Sequence, residues 1–223
     1  MTYLWQEPFT GIYAHVRQGQ LLDAYEARVN AYRPPDGRGD PAVAREPPGG
    51  PRADGSPGRN AGTPYLSSRE LARAATAYRL STSPGSPIGH IVVPKLGIDL
   101  VVVDGATSGD LHSGPGRDLR SLMPGEGGLV YVAGHRTTYG APFRHIDELR
   151  AGDPIFLELP YGRFEYRVTG HAVVFPTEVE RLESRGREEL ALQASHPPYS
   201  ARERLIVYAR FASVGPPARP REA

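Results

Sequence analysis

Apolar positions along the chain fall into two periodic regimes, separated by a stretch that has almost none. Ile12, Tyr13, Val16, Leu21, Ala24, Tyr25 and Val29 recur at roughly helical spacing, the pattern of one amphipathic helix that could serve as a stalk. Pro8 is tolerated in a first helical turn, where Glu7 also suits the helix dipole. Pro34-Pro35 forbids continuation, because proline has no N–H and clashes with the preceding turn. From residue 33 to 64 Pro, Gly, Arg and Asp dominate, as in Pro47-Pro48-Gly49-Gly50-Pro51. Such a stretch buries too little surface to offset its ordering entropy and is predicted to be a disordered linker. A short helix is predicted from Ser67 to about Arg79, capped by Ser67 or Ser68, with Leu71, Ala74, Ala75 and Tyr78 on one face.

After Pro87 the period changes to that of strands. Ile88–Val93 and Ile98–Val103 are β-branched runs around Pro94-Lys95-Leu96-Gly97. Leu129–Ala133 is a third run, and Phe143–Leu149 reads as one or two helical turns. Ile155–Leu159 and Phe164–Val168 flank Pro160-Tyr161-Gly162-Arg163, a hairpin pattern. Ala172–Phe175, Leu190–Ala194 and Leu205–Phe211 supply the remaining strands. Many short strands with turn signals between them predict a closed barrel or a sandwich. The predicted organisation is a helix over 1–32, a linker over 33–64, an all-β domain over 65–214 and a flexible tail over 215–223.

Composition narrows the function classes. A chain of 223 residues is long enough for one medium domain with a real core. Its formal net charge of +1 and its scattered Lys and Arg give no footprint for nucleic acid. It contains no Cys, which excludes disulfides and thiolate metal sites without fixing the redox compartment. The seven His fit no familiar ligand spacing, so neither a metal nor a cofactor is expected. No run of 18 or more apolar residues spans a membrane, and the N-terminus does not read as a signal peptide. Met1–Trp5 reads as an ordinary soluble start, although Tyr3 and Trp5 would also suit a membrane–water boundary.

Two segments carry the chemistry. One is Ala133-Gly134-His135-Arg136-Thr137-Thr138-Tyr139-Gly140-Ala141-Pro142-Phe143; the other runs from Ser195-His196-Pro197-Pro198-Tyr199 through Arg204 to Tyr208. Taken alone, a His after a strand is usually structural and an Arg beside a strand usually a surface charge. Together with Ile91–Asp99 and Gly114-Pro115-Gly116, these segments make residues from about Ile88 to Ala212 resemble class E sortases. The resemblance implies an eight-stranded β-barrel with short helices, preceded here by the N-terminal helix and the linker. It implies a His-Cys-Arg site that cleaves Leu-Ala-X-Thr-Gly or Leu-Pro-X-Thr-Gly sorting signals after Thr and passes the acyl group to a cell-wall amine. By the same resemblance His135 is the general acid/base, Arg204 the transition-state stabiliser, and Thr137, Tyr139, His196 and Tyr199 contact the peptide. It places the domain on the extracytoplasmic face of the cell membrane, attached through a segment upstream of, or missing from, this chain.

The nucleophile position departs from the pattern, because it is occupied by Ser195. A thiol with a pKa of about 8.5 yields usable thiolate. A hydroxyl instead needs a neutral base within about 3 Å, itself oriented by a third group. Asp147 is a weak candidate for that third group. Three further departures, Arg117 for His, Leu129 for Asn and Gln193-Ala194 for Thr-Thr, are expected to cluster around the same cleft and to mark natural drift. Three readings stay open: a transpeptidase or slow hydrolase using Ser195, a pseudoenzyme that binds sorting-signal-like peptides or partner proteins, and a sortase engineered from Cys to Ser.

Overall fold

The computed structural model describes residues 7–35, 65–178 and 183–218. Most of the expected linker, the Met1–Trp5 segment and the last residues of the tail lie outside the described residues.

Eight strands close into a barrel: β1 (Pro87–Val93), β2 (Ile98–Asp104), β3 (Gly116–Arg117), β4 (Leu129–Ala133), β5 (Pro154–Leu159), β6 (Gly162–Val174), β7 (Glu189–His196) and β8 (Glu203–Gly215). Around the barrel their order is β1-β2-β3-β4-β7-β8-β6-β5. Pairing is antiparallel except for β2 with β3 and β4 with β7. Closure gives each of these strands a hydrogen-bonded neighbour on both sides, which limits exposed edges. Period-2 alternation sends Val130 and Val132 of β4, Leu190, Leu192 and Ala194 of β7, and Leu205 and Val207 of β8 into the barrel's core. The opposite faces of the same strands carry Leu129, Tyr131, Ala191 and Ile206, a separate apolar floor on the outside.

Strand β6 joins two predicted strands into one of 13 residues. Register shifts between Glu165 and Tyr166 and between Val168 and Gly170 let it bend along the whole of β8. The expected helical turns after Phe143 are a 3-10 turn over Ile146–Glu148. Strand β3 is only two residues long, too short for any sequence period to register.

Among the described residues the α-helices are α1 (Glu7–Ala31), α2 (Ser68–Ser81) and α3 (Ser108–Leu111). In α2 the cap is Ser67, whose side chain accepts from the Glu70 N–H while Glu70 reaches back to the Ser67 N–H. This capping box fixes where the helix starts. Its face of Leu71, Ala74, Ala75 and Tyr78 joins the barrel core, as the sequence predicts. Helix α1, rather than standing off as a stalk, lies against the barrel. Leu21 and Tyr25 bury against Val101 and Val103, the outward residues of β2. The Gln18 amide accepts from the Val101 N–H at 2.8 Å and donates to the Ser113 carbonyl at 2.7 Å. Tyr25 donates to the Glu158 carbonyl at 3.0 Å and packs on His90. The turn that receives Gln18 needs glycine, since Gly114 has φ +150 and a Cβ there would collide with the Gln18 amide. Among the described residues no helix is long and apolar enough to cross a membrane.

Candidate active site

The parallel β4–β7 pairing builds the site. Its register runs from Leu129 opposite Glu189 to Ala133 opposite Gln193, and the Gly134 N–H continues it by donating to the Gln193 carbonyl at 3.0 Å. Both strands run the same way, so His135 and Ser195 stand at matching positions, each two residues past the last β4–β7 pair, His135 beyond the end of β4 and Ser195 still within β7. On the other side of β7, Ser195 is the direct antiparallel partner of Arg204 on β8. Directly opposed residues share a face, and alternation puts both on the outer face, opposite the core residue Ala194. Three segments distant in sequence thus deliver an imidazole, a hydroxyl and a guanidinium to adjacent strand ends.

The loop after β4 sets the imidazole. Tyr139, Gly140 and Ala141 all adopt left-handed backbone, with φ of 51, 74 and 45, a conformation that costs non-glycine residues energy and persists only when its surroundings enforce it. The Phe143 N–H donates to the His135 carbonyl at 3.0 Å, closing the loop. Gly134 is required here, because a Cβ would stand 2.6 Å from the Phe143 ring. The reversal brings the Tyr139 ring to 4.9 Å from that of His135. Thr138 Oγ1 lies 3.2 Å from His135 Nδ1. His135 Nε2 is buried and has no hydrogen-bond partner among the described residues. Burial pushes the imidazole below the ordinary histidine range, and the nearby His112 adds to that.

Arg136, the next residue, is buried and ties this loop to the end of β7. Its guanidinium pairs with Asp147 at 2.9 Å and donates to the Ser195 carbonyl at 3.3 Å and to His196 Nδ1 at 3.0 Å. Asp147 therefore serves Arg136, and the group beside His135 Nδ1 is the Thr138 hydroxyl. On β8, Arg204 is half-buried and donates to the Ala201 and Glu203 carbonyls at 2.9 and 3.0 Å.

The structure brings His135, Ser195, Arg204 and Tyr139 to one neighbourhood, with His196 behind them on Arg136. Thr137 is half-buried in the same loop. Tyr199 stands exposed in the β7–β8 connection with φ 64. Thr138, Arg136 and His112 are additions that no spacing rule flagged. Their roles come from the fold of one loop and from a turn more than 20 residues upstream.

The expected cluster of departures around the cleft does not hold. Arg117 is the register partner of Asp104 and pairs with it at 2.6 Å, both side chains almost fully buried. Ala194 points into the core, and Leu129 packs in the outer apolar floor. Only Gln193 lies near the site, accepting the Tyr131 hydroxyl at 2.5 Å. Three of these four positions answer to packing.

A closed eight-stranded barrel with His, Ser and Arg at the ends of three neighbouring strands defines a sortase-type domain. The sortase domain model matches residues 91–212, and the chain belongs to the sortase family. It is similar to Sortase D of Bacillus subtilis, 31% identical over 147 residues that span 64% of this chain and 72% of that protein. It is also similar to Sortase SrtE1 of Streptomyces coelicolor, 27% identical over 152 residues, 61% of this chain and 43% of that protein. Among solved structures, sortase E from Streptomyces avermitilis superposes with a TM-score of 0.55 at 32% identity, covering 60% of this chain and 93% of that one. The SrtA sortase from Actinomyces oris gives 0.57 at 29% identity, covering 61% and 85%.

Proposed function

We propose that this chain is a class E type sortase that works, with Ser195 as nucleophile, as an acyl transferase on Leu-Ala/Pro-X-Thr-Gly sorting signals at the outer face of the membrane. The observation that carries the reading is the shared register of β4, β7 and β8, which brings the backbone positions of His135, Ser195 and Arg204 together. In the reaction, Ser195 Oγ attacks the Thr carbonyl as His135 Nε2 takes its proton. Arg204 stabilises the oxyanion. His135 then returns the proton to the departing Gly amine as the Thr–Gly bond breaks, leaving a Thr ester on Ser195. An acceptor amine attacks that ester and gives a proton to His135, which passes it to the departing Ser195 oxygen as the ester bond breaks, restoring the hydroxyl. Water in place of the amine gives hydrolysis. Thr137, Tyr139, His196 and Tyr199 border the peptide's path.

The test is release of the Gly-terminal fragment from a quenched Leu-Ala-X-Thr-Gly peptide. Turnover by this chain that disappears in Ser195→Ala and His135→Ala supports the reading. No turnover by this chain but turnover by Ser195→Cys overturns the serine nucleophile and leaves a peptide-binding pseudosortase. That second reading draws on the absence of any cysteine, and peptide binding without cleavage is its signature.

A further inference from the structure

The His135 ring belongs to a stack assembled from three parts of the chain. His112, at the turn between α3 and β3, lies over Tyr139 at 4.0 Å with 13° between the planes. Its ring is 6.0 Å from that of His135, at 24°. Tyr13 of α1 meets the other side of the assembly, edge-on to Tyr139 at 6.3 Å. The turn that bears His112 is itself held by α1, through Gln18 on the Ser113 carbonyl and Arg17 on the Ser113 hydroxyl. The ring plane of His135 is thus fixed from one side by packing.

Its nitrogens are treated differently. Nδ1 faces a neutral hydroxyl, Thr138 Oγ1, and Nε2 is buried without a partner among the described residues. The charged groups around it are few. His112 faces the ring, the phenols of Tyr139 and Tyr13 complete the stack, and the Arg136 cation is drawn away by Asp147 and His196. A carboxylate at Nδ1 would hold Nδ1–H and also stabilise an imidazolium. A neutral hydroxyl there can hold the same Nδ1–H without favouring the charged form, and so leaves a neutral imidazole with its lone pair at Nε2.

We propose that Thr138 and His112 are positioning residues that hold His135 with its Nδ1–H on the Thr138 hydroxyl, so that the lone pair stands on Nε2, the nitrogen left without a competing partner among the described residues. This rests on the serine reading above and deepens it, since the arrangement suits proton abstraction from an alcohol. The lowered basicity of His135 fits, because burial and, after it, a second imidazole alongside oppose its charging.

The experiment reads the imidazole without needing turnover. Ring ¹⁵N shifts of the histidines in the whole chain are followed from pH 4.5 to 8.5, and the His135 pair is assigned by its loss in His135→Gln. The expected spectrum at neutral pH shows Nδ1 protonated and Nε2 bare, with a titration midpoint below the ordinary value of about 6.5. Thr138→Val moves the ring toward the Nε2–H tautomer, and Thr138→Ser restores the original form, which a purely structural effect of the substitution would not do. His112→Gln keeps the tautomer and moves the midpoint upward. An Nε2–H tautomer in the unaltered chain, or no change in Thr138→Val, overturns the proposal. The expected spectra in a chain that cleaves no peptide leave the positioning role standing and sink the serine transferase reading instead.

Discussion

Arg117→Met is the sharpest test of how this barrel is held together. The Arg117 guanidinium meets Asp104 through Nε at 2.8 Å and Nη2 at 2.6 Å, and its Nη1 donates to the Ser121 carbonyl at 2.5 Å. Asp104 also accepts from the Thr82 hydroxyl at 2.5 Å. The side chains are 3% and 4% exposed, so removing the cation strands a carboxylate where water cannot replace the lost partner. Breaking such a pair from one side costs about 3–5 kcal/mol. In a domain of this size each kcal/mol shifts Tm by about 2–4 °C, so Tm should fall by roughly 6–20 °C. Asp104→Asn combined with Arg117→Met removes both charges and should recover at least half of that loss, with the Asn still able to accept from Thr82. Circular dichroism melts of the two single variants and the double variant complete the cycle. A Tm drop of less than about 2 °C in Arg117→Met, or a double variant as unstable as the sum of the singles, would refute the idea that the pair acts as a unit.

Two further predictions concern other joints of the fold. Glu188 accepts from the N–H groups of Gly125 and Gly127 and from the Tyr166 hydroxyl, yet burial still raises its carboxyl above the ordinary range. The folded state then holds this proton more tightly than the unfolded one. The stabilisation is complete at pH below the unfolded value of about 4.3 and is lost as pH rises through the folded pKa. Melts of Glu188→Gln against the unaltered chain between pH 4 and 7.5 should show the variant gaining relative stability as pH rises; a constant difference would contradict the raised pKa. Gly114→Ala should push the Gln18 amide off the Val101 and Ser113 groups it bridges and strain a backbone at φ +150, at a cost of about 1–3 kcal/mol. Hydrogen exchange should then speed up in α1 while the β7–β8 amides keep their protection, and equal acceleration in both would contradict a local clamp.

Much of the local structure was legible in the residues. The Ser67–Glu70 box and the Leu71, Ala74, Ala75, Tyr78 face announced α2, and the β-branched runs marked most strands, because caps and periodicity are set by neighbours within a few positions. The Gly134–Phe143 and Ser195–Arg204 segments pointed to the site through resemblance. Strand β3 did not show, since two residues cannot display a period. Nor did the docking of α1, whose spacing announced a buried stripe without saying what would bury it.

Sequence by itself determined which positions are apolar, where helices are capped, and which side chains offer an imidazole, a hydroxyl and a guanidinium within the segments that resemble the family's site. Only the tertiary structure decided that β4 and β7 run parallel so that His135 and Ser195 emerge together. It alone put Arg117 in the core on Asp104, and it alone gave His135 the Thr138 hydroxyl and the His112–Tyr139 stack. The reason is range: periodicity and capping act over one or two turns of chain. Strand register and buried charge pairing are instead settled by which distant segments can close the barrel while pairing its strand backbones and its buried charges.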